Sequence, residues 1–329
     1  MRSFTENVRS ALRLTAFVVL LLAVVAVPRA RATSFTLGVA GNYAVLYEGG
    51  GGNTLQITNV TVTGNVGVGG TGQANLGGPG TITGRLDFSA PNGGQLSGNN
   101  VVISGGVNYS VAAVTNALNL INALNTDMGS VNGTDVNLNN SMTIDITTGL
   151  TDVGHSGIRF FDVTGYSLGN NQTLTIQGDP GLDAVAFNFT SSTNFNGQVA
   201  LTGGLTADQV LFNFVGGSGL TGGPTLQINN QGDVAHPANQ VSGIFLDPNG
   251  PISVVSARIA QGRVFGGDTH DFQLVSGSSV TQPPTSTTTT PTTSGATASG
   301  IVPEPTMLTL FGSGVVVAAR RRRRRSPAS

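Results

Sequence analysis

A short repeat constrains the fold of this chain more than any other feature of its sequence. Residues 61–68 read TVTGNVGV, residues 81–88 read TITGRLDF and residues 102–109 read VISGGVNY, so successive copies start 20 and 21 residues apart. Apolar residues alternate with small or polar ones in each copy, which is the pattern of a half-buried β-strand. Because each copy is too short to fold alone, we expect the copies to stack as the turns of a β-solenoid.

The alternation also assigns a direction to each side chain. One side of the strands carries Val62, Ile82, Ile103, Val66, Leu86 and Val107, which we expect to face the interior. The other side would display the threonines Thr61, Thr63, Thr81 and Thr83, stacked about 4.8 Å apart if their strands are neighbours. Arg85 and Asp87 are expected on this same outer face, and the third copy has Val102 and Ser104 where the first two have threonine.

The same rhythm returns late in the chain, where residues 242–246 are followed after nineteen residues by 261–265. Further strand-like runs lie at residues 138–146, 158–163, 174–177, 184–189, 210–214 and 226–229. A β-sandwich would also explain the strands but not their near-constant spacing. We therefore predict an all-β solenoid over residues 33–275 and rank the sandwich second.

One segment has the period of a helix instead. Apolar residues recur at helical spacing from Val114 to Met128, which predicts a helix near residues 111–128 with Ser110 as its N-cap. Asparagines at 116, 119, 122 and 125 occupy much of the remaining surface. We expect this helix to lay its apolar stripe along the solenoid rather than against a membrane or a partner.

The N-terminus has the organisation of a secretory signal. Basic residues come first, an apolar stretch follows at 14–27, and Ala30 and Ala32 form an A-x-A site. Residues 1–32 are therefore predicted to be a signal peptide that is cleaved after Ala32. The alternative, a transmembrane anchor, is disfavoured because fourteen apolar residues are too few to span a bilayer.

The C-terminal tail, residues 301–329, has three parts in a fixed order. It opens with Val302, Pro303, Glu304 and Pro305, continues with thirteen uncharged residues at 307–319, and ends in a cationic cluster of Arg320, Arg321, Arg322, Arg323, Arg324 and Arg325. As a hydrophobic helix the uncharged part would span about 20 Å, less than a hydrocarbon core of about 30 Å. This length favours a temporary anchor with the arginines on the cytoplasmic side. A polybasic nucleic-acid or nuclear signal would leave the apolar part unexplained.

This tail resembles the sorting signal of the PEP-CTERM proteins of Gram-negative bacteria. The resemblance implies transient membrane insertion, recognition and removal of the tail by an exosortase after transport by the secretion machinery, and delivery to the cell envelope, cell surface or extracellular matrix. Residues 276–300 precede the tail and consist almost entirely of Ser, Thr, Gly, Pro and Ala, which predicts a linker. Its threonines at 287–290 either carry O-linked sugars or form part of a plain tether.

The order of parts in the main domain resembles the choice-of-anchor A family of bacterial surface proteins and, more distantly, the microbial ice-binding-protein fold. The resemblance rests on residues 37–46, the helix after three turns, Gly-Asp-Pro at 178–180 and Gly-Arg-Val at 262–264. It implies a right-handed parallel β-solenoid with one long helix alongside, in which the spatial order of turns need not follow the chain. It also implies an adhesive or matrix role, and it brings no set of catalytic residues.

Composition excludes several kinds of chemistry. The chain has no cysteine and no lysine, which excludes disulfides, thiolate catalysis, cysteine-ligated metals, a P-loop lysine and a Schiff base. Residues 33–300 carry fourteen acidic residues and four arginines, a net charge of -10, whereas the whole chain has -1. This acidic balance argues against nucleic acid as a partner, and we expect no cofactor.

Candidate catalytic or metal-binding groups are few. The histidines are His155, His236 and His270, and the best metal-like cluster combines His270 with Asp268 and Asp271. These short side chains on one loop lack the remaining ligands of a zinc or calcium site, so we predict no metal. A glycan-active β-helix enzyme would require a groove with convergent carboxylates, and the one glutamate of residues 33–300 has no evident second acid beside it.

The sequence therefore predicts a non-enzymatic, exported protein of the surface or extracellular matrix, associated with adhesion, biofilm or exopolysaccharide. Two alternatives stay open. Ice binding would use the threonine face as a flat, uncharged surface, although the third copy and the two charged side chains weaken that hypothesis. An enzyme would instead show a pocket of gathered acids. Exopolysaccharide and other surface proteins are both open as ligands.

Overall fold

The computed structural model describes residues 34–178, 184–216, 223–231, 239–268 and 270–284. Its strands in chain order are β1 (Tyr43–Tyr47), β2 (Thr54–Thr58), β3 (Val60–Thr63), β4 (Asn65–Val68), β5 (Gln73–Asn75), β6 (Gly80–Ile82), β7 (Leu86–Phe88), β8 (Leu96–Ser97), β9 (Val101–Ile103), β10 (Val107–Asn108), β11 (Thr134–Asn139), β12 (Met142–Asp145), β13 (Leu150–Thr151), β14 (Ile158–Ser167), β15 (Thr173–Gln177), β16 (Ala184–Phe189), β17 (Thr193–Phe195), β18 (Gln198–Thr202), β19 (Val210–Phe214), β20 (Leu226–Ile228), β21 (Val241–Asp247), β22 (Ile252–Val255), β23 (Arg258–Gly266), β24 (Phe272–Val275) and β25 (Ser279–Thr281). The helices are α1 (Ala112–Gly129) and three single 3-10 turns, Gly38–Asn42, Ile146–Thr148 and Ala207–Gln209.

These strands form a parallel β-solenoid with three faces. Face A has the order β10-β7-β4-β1-β23-β21-β19-β16-β14-β11, and face B has the order β17-β20-β22-β24-β2-β5-β8. Face C consists of β12-β15-β18 and β25-β3-β6-β9, which the first residues of β21 and β23 connect. Among the described residues, only the pair of β13 and β14 is antiparallel. The predicted class, a mostly parallel β-structure with one long helix, is confirmed.

The spatial order of the turns differs from their order in the chain. The chain starts in the middle of face A with β1 and moves outward through β4 and β7 to β10. After α1 it resumes at the opposite end with β11 and returns through β14, β16, β19 and β21 to β23, which pairs with β1 at Val45 and Val264. The first and last strands of face A are therefore neighbours, which is consistent with the implication of the family resemblance that the order of turns need not follow the chain.

Helix α1 carries the chain back across face A. At its start the Val111 N–H donates to Phe88 O of β7 at 2.9 Å, and near its end Asn188 Nδ2 of β16 donates to Met128 O at 3.0 Å. Six strand-to-strand steps separate β7 from β16, or about 29 Å. An α-helix of 18 residues is about 27 Å long, so the length of α1 matches the distance it crosses.

Residues of the solenoid interior stack in columns along its axis. One column runs through nine adjacent strands of face A as Phe161, Phe187, Phe212, Phe245, Val264, Val45, Val66, Leu86 and Val107. Its four phenylalanines are stacked with ring centroids 4.9 to 5.6 Å apart. The two repeats read from the sequence are confirmed by these registers, because Val62 pairs with Ile82 and Phe245 pairs with Val264.

A second apolar layer lies between face A and α1. The outward residues of face A that build it include Tyr43, Leu46, Leu211, Ile244 and Phe265. They pack with Val114, Ala117, Leu118, Ile121 and Met128 of the helix. Close approach requires Gly69, where an added Cβ would collide with Leu118.

The helix begins one residue later than predicted, at Ala112, and two sequence interpretations of it are wrong. Ser110 is not the N-cap, because Val111 holds that position and Ser110 has a φ of 58°. Asn125 does not lie on the polar side, since it is 6% exposed and bonds to face A. Helical spacing places Asn125 on the same side of the helix as Leu118 and Ile121. The amide can be buried there because it donates hydrogen bonds to Asn213 Oδ1 and Phe214 O.

The folded region also extends beyond residue 275, into residues assigned to the linker. Strand β25 pairs with β3 and β23, and its Val280 is fully buried. A short Ser-Val-Thr strand is hard to recognise inside a run of serines and threonines, and this composition hid it. The linker beyond 284, the signal peptide and the tail with its hydrophobic segment lie outside the described residues. No helix among the described residues has the length and hydropathy needed to cross a membrane.

Candidate binding faces

The threonines singled out from the sequence lie together on face C. Thr61 of β3 pairs with Thr81 of β6, and Thr63 and Thr83 follow two residues later. Thr61, Thr63 and Thr83 are exposed and Thr81 is half-buried. The Thr83 hydroxyl accepts a hydrogen bond from Gly64 N at 3.1 Å. Their role as a binding face stays a prediction.

Strand β25 lengthens this threonine ladder by one rung. Ser279 pairs with Thr61, and Thr281 pairs with Thr63. At the other side Thr81 pairs with Val102 of β9, which is 64% exposed. The outward column therefore reads Ser279, Thr61, Thr81, Val102, and it loses its hydroxyls at the last rung.

Arg85 and Asp87 were expected on the same outer face as the threonines. This expectation is wrong for Asp87, which lies on face A rather than face C. A turn at Gly84 separates β6 on face C from β7 on face A, and the eight-residue copies are two strands rather than one. Asp87 is fully buried on face A, where it accepts hydrogen bonds from Tyr43 Oη at 3.2 Å and Asn108 Nδ2 at 2.8 Å. Arg85 lies at the corner and contacts Asp87 at 3.3 Å.

Face B carries a longer polar ladder that the sequence interpretation missed. One outward residue from each of its seven strands occupies the same register, in the order Asn194, Gln227, Ser253, Gln273, Gln56, Asn75 and Ser97. All seven side chains are uncharged amides or hydroxyls. The signal for this amide ladder was present as three apolar-Gln-apolar tripeptides, at residues 55–57, 226–228 and 272–274.

The centre of face C differs from both ladders. A depression of about 470 Å³ lies where β18 meets the starts of β21 and β23. Gln240, Ser242, Arg258 and Gln261 are among the residues that line it. It separates the threonine ladder from Thr143 and Thr175 on the other part of the face. Face C is therefore neither continuous nor uncharged across its full length.

Asp268, His270 and Asp271, the best metal-like cluster of the sequence, lie in one loop and hold it to β1 and β2 through hydrogen bonds. Asp271 Oδ1 accepts from Thr54 N at 3.0 Å, and His270 O accepts from Tyr47 Oη at 3.2 Å. Nearby, burial raises the pKa of Glu48 to about 7, with a further increase from Asp268 and an opposing effect of its hydrogen bond to Asn122. Within the described ranges, no three His, Asp or Glu side chains are placed to hold a metal ion. His236 lies outside those ranges.

His155 has both ring nitrogens engaged by carboxylates. Its Nδ1 lies 2.7 Å from Asp152 Oδ2 and its Nε2 lies 3.2 Å from Asp127 Oδ1 of α1. The hydrogen bond to Asp152, reinforced by Asp127 and opposed by partial burial, raises the pKa of His155. It lines a groove of about 600 Å³ together with apolar residues such as Phe35, Leu120, Leu124 and Ile158. The arrangement joins a loop to the helix and resembles no acid pair of a glycosidase.

Comparisons with known proteins agree with this architecture and with the tail. Residues 302–324 match the PEP-CTERM protein-sorting motif. A search of curated proteins found no match.

Among solved structures, an ice-binding protein from the Antarctic ascomycete Antarctomyces psychrotrophicus is 15% identical, with 77% of this chain and 100% of that chain covered at a TM-score of 0.50. An ice-binding protein from an Antarctic bacterium of the Flavobacteriaceae is 18% identical, covering 82% of this chain and 50% of that one at 0.48. One from an Arctic yeast is 14% identical, covering 83% and 99% at 0.47.

At 15% identity the likeness to the ascomycete protein concerns the fold and carries no information about a ligand. The sorting motif implies that the chain is exported and sorted to the surface of a Gram-negative bacterium through an exosortase. The chain therefore combines a β-solenoid of the ice-binding-protein type with a C-terminal PEP-CTERM sorting motif.

Proposed function

We propose that this chain is a non-enzymatic structural or adhesive protein of the cell surface or extracellular matrix, built as a right-handed solenoid. The observation that carries the proposal is the combination of a sorting motif at residues 302–324 with a rigid fold whose seven-stranded face B displays an uncharged amide ladder. A fold of this kind supplies a fixed surface, and the motif supplies its destination.

The amide ladder is suited to a partner rich in hydroxyl or amide groups. Asparagine, glutamine and serine side chains both donate and accept hydrogen bonds, and on face B they repeat about every 4.8 Å. Gln227 and Ser97 are exposed and the other five are half-buried, so the row is reachable along its length. Exopolysaccharide of the host has the required chemistry and is the ligand we propose.

Export and sorting are tested by intact mass and cell fractionation of the protein expressed in its host, with and without residues 303–325. We expect a mature form that begins at Thr33, lacks the arginine cluster and lies outside the inner membrane. Replacing Arg320–Arg325 with alanine should disturb processing, whereas the neighbouring Thr306→Ala is the control. Arginines retained in a protein of the inner membrane would show that the tail is a plain anchor.

Ligand binding is tested by co-sedimentation of the mature protein with purified host exopolysaccharide. Gln227→Lys places a charge in the amide ladder and should weaken binding at least several-fold. Thr63→Lys makes the same kind of change at an exposed position of face C and should have no effect. Equal binding by wild type and Gln227→Lys would exclude face B as the binding surface, without affecting the test of export.

Ice binding is a second candidate, favoured by the register of Thr61 with Thr81 and of Thr63 with Thr281. Its fold is shared with the ascomycete ice-binding protein. Thermal hysteresis and ice-recrystallisation assays decide this candidate directly. It requires activity in the wild type and its loss in Thr61→Tyr, and an inactive wild type would exclude it.

A further inference from the structure

The end of the solenoid formed by β8, β9 and β10 is open. Each of these strands pairs on one side only, with β5, β6 and β7 respectively. No other strand among the described residues covers their outer sides. An unpaired strand edge presents backbone N–H and C=O groups that can accept a further strand.

The apolar interior of the solenoid is also partly exposed to solvent at this end. The nine-residue column of face A terminates at Val107, which is half-buried, and Leu96, Ile103 and Tyr109 are half-buried beside it. The ring of Tyr109 stacks on Phe88 with centroids 5.1 Å apart, and nothing described stacks on its other side. Each residue would gain further burial if another rung followed, because in every inner turn the next rung completes the packing.

The charge distribution distinguishes this end from the opposite one. From Phe88 to Thr126, which includes all of β8, β9 and β10, the sequence has no Asp, Glu, Lys, Arg or His. The following segment, residues 127–162, supplies two of the three terminal strands at the other end, β11 and β12, and contains five aspartates, one arginine and one histidine, whereas the third terminal strand, β17, is uncharged. Natural sheets protect open edges with charged side chains, proline or a covering segment. Strands β11 and β12 of the acidic end follow that rule with Asp135 and Asp145, whereas β8, β9 and β10 contain neither a charged residue nor a proline.

We propose that the charge-free end, defined by β8, β9 and β10, is an association surface for the same end of a second copy of this chain. Contact between two acidic ends would place like charges together, and contact between an acidic and a charge-free end would bury aspartates against apolar residues. Two charge-free ends meet without either cost, because the charges one rung away, Arg85 and Asp87, pair with each other. A contact between identical surfaces has two-fold symmetry and closes as a dimer, with the edge strands antiparallel across it.

Cross-linking of single-cysteine variants tests which ends meet, because the chain has no cysteine of its own. Ser104→Cys lies just after β9 at the charge-free end, and Thr143→Cys in β12 is the matched variant at the acidic end. Both parent residues are exposed. Mature protein carrying either variant is treated with a short bifunctional thiol reagent and resolved by mass. We expect dimers of Ser104→Cys and none of Thr143→Cys.

The alternative outcomes each contradict the proposal. Cross-linking through Thr143→Cys alone would place the contact at the acidic end. Mixed cross-links between the two variants would indicate head-to-tail stacking, and the absence of any cross-linked product would indicate that the ends do not meet.

Sedimentation velocity gives a second measurement that does not depend on the reagent. Val102→Lys adds a charge beside the open edge at a position that is 64% exposed, and Val153→Lys adds one at a fully exposed position of the opposite end. We expect at least a tenfold weaker dimer for Val102→Lys, an unchanged dimer for Val153→Lys, and equal thermal unfolding midpoints for both. A wild type that stays monomeric at high micromolar concentration would overturn the proposal.

Discussion

The two apolar layers of this protein specify their packing in different ways. Inside the solenoid, the same kind of side chain recurs in register on neighbouring strands, as in the column from Phe161 to Phe245. Between face A and α1, apolar contacts are interrupted by buried amides. Asn125 Nδ2 donates to Asn213 Oδ1 at 2.7 Å, Asn213 Nδ2 donates to Asn188 Oδ1 at 3.0 Å, and Asn188 Nδ2 donates to Met128 O.

The difference shows where the fold needs directional bonds. A column of repeated residues tolerates a shift by one turn, because the neighbouring rung offers a similar environment. A helix that crosses seven strands has no such repeat, and the amide network fixes its position on β16 and β19. Arg263 acts similarly where β23 meets β1, since it is 1% exposed, bonds Asp208 Oδ1 at 3.0 Å and donates to Tyr43 O at 2.9 Å.

Asp247 is a fully buried carboxyl group, and its replacement should give the largest effect. Among the described residues only the Leu226 and Gly250 N–H groups act on its carboxylate, without the geometry of full hydrogen bonds. Burial raises its pKa to about 8, against a smaller opposing effect of the Leu226 and Gly250 amides. The folded protein therefore keeps a proton that the unfolded chain loses above pH 4, and stability falls as pH rises from about 4 to 8.

Asp247→Asn should remove the contribution of Asp247 to this pH dependence, roughly 5 kcal/mol for a shift of this size, and should leave the smaller contribution of Glu48. Urea unfolding at pH 5 and pH 9 measures it, and the variant should exceed the wild type in stability at pH 9. Asp135→Asn makes the same change at an exposed site and is the control. A wild type with equal stability at both pH values would show that Asp247 is not buried as described.

Phe212→Ala tests the repeated packing of the interior. Phe212 is fully buried, stacks between Phe187 and Phe245, and meets Phe195 edge to face at 5.3 Å. Because stacked neighbours on both sides limit collapse of the cavity, we expect a loss of about 4 kcal/mol in the free energy of unfolding. Phe212→Leu keeps much of the volume and should lose well under half as much. Equal losses for the two variants would argue against a cavity effect.

Asn213→Leu tests the amide network that sets the helix. The substitution removes the donor to the side-chain Oδ1 of Asn188 and to the backbone oxygen of Asn125, and it removes one acceptor of Asn125 Nδ2, so we expect a loss of about 2 kcal/mol. Asn116→Leu, at an exposed position of the same helix, should change stability by less than about 0.5 kcal/mol. Hydrogen exchange should accelerate in α1 more than in β16 for Asn213→Leu. Uniform acceleration would mean that the network does not act on the helix in particular.

His155→Gln should give the smallest effect, and only in acid. The pKa of His155 is raised by Asp152 and Asp127, so its contribution is fully present below the unfolded value and is lost as pH rises through the folded one. Both carboxylates are substantially exposed, which limits the expected loss to about 0.5 kcal/mol at pH 5. Thermal melts at pH 5 and pH 9 measure the difference. A loss that persists at pH 9 would indicate packing rather than charge.

Local patterns predicted much of the fold but little of its polar detail. The strand registers at Val62 and Ile82 followed from spacing, because identical periods must stack in a solenoid. The family resemblance implied only that the order of turns need not follow the chain, and the pairing of β1 with β23 was not predicted, since no local pattern encodes which distant strand becomes a neighbour. The burial of Asn125 and the position of Asp87 on face A could not be predicted, because they depend on where the chain turns. The amide ladder could not be predicted either, because it forms only when seven strands that are distant in the sequence lie side by side.

The position of β1 in the middle of face A has a consequence for the timing of folding. The edge of β1 that pairs with β23 stays unpaired until almost the whole domain has been synthesised and translocated. The reason is that Val45 pairs with Val264, which lies near the end of the domain. We therefore expect the N-terminal turns to form early and to remain open, with cooperative completion only as the last strands emerge. The next segments to reach the membrane are the linker and the sorting tail. The domain would then finish folding at nearly the same time as the sorting signal reaches the membrane. The exosortase would therefore act on a chain whose β-solenoid is already folded.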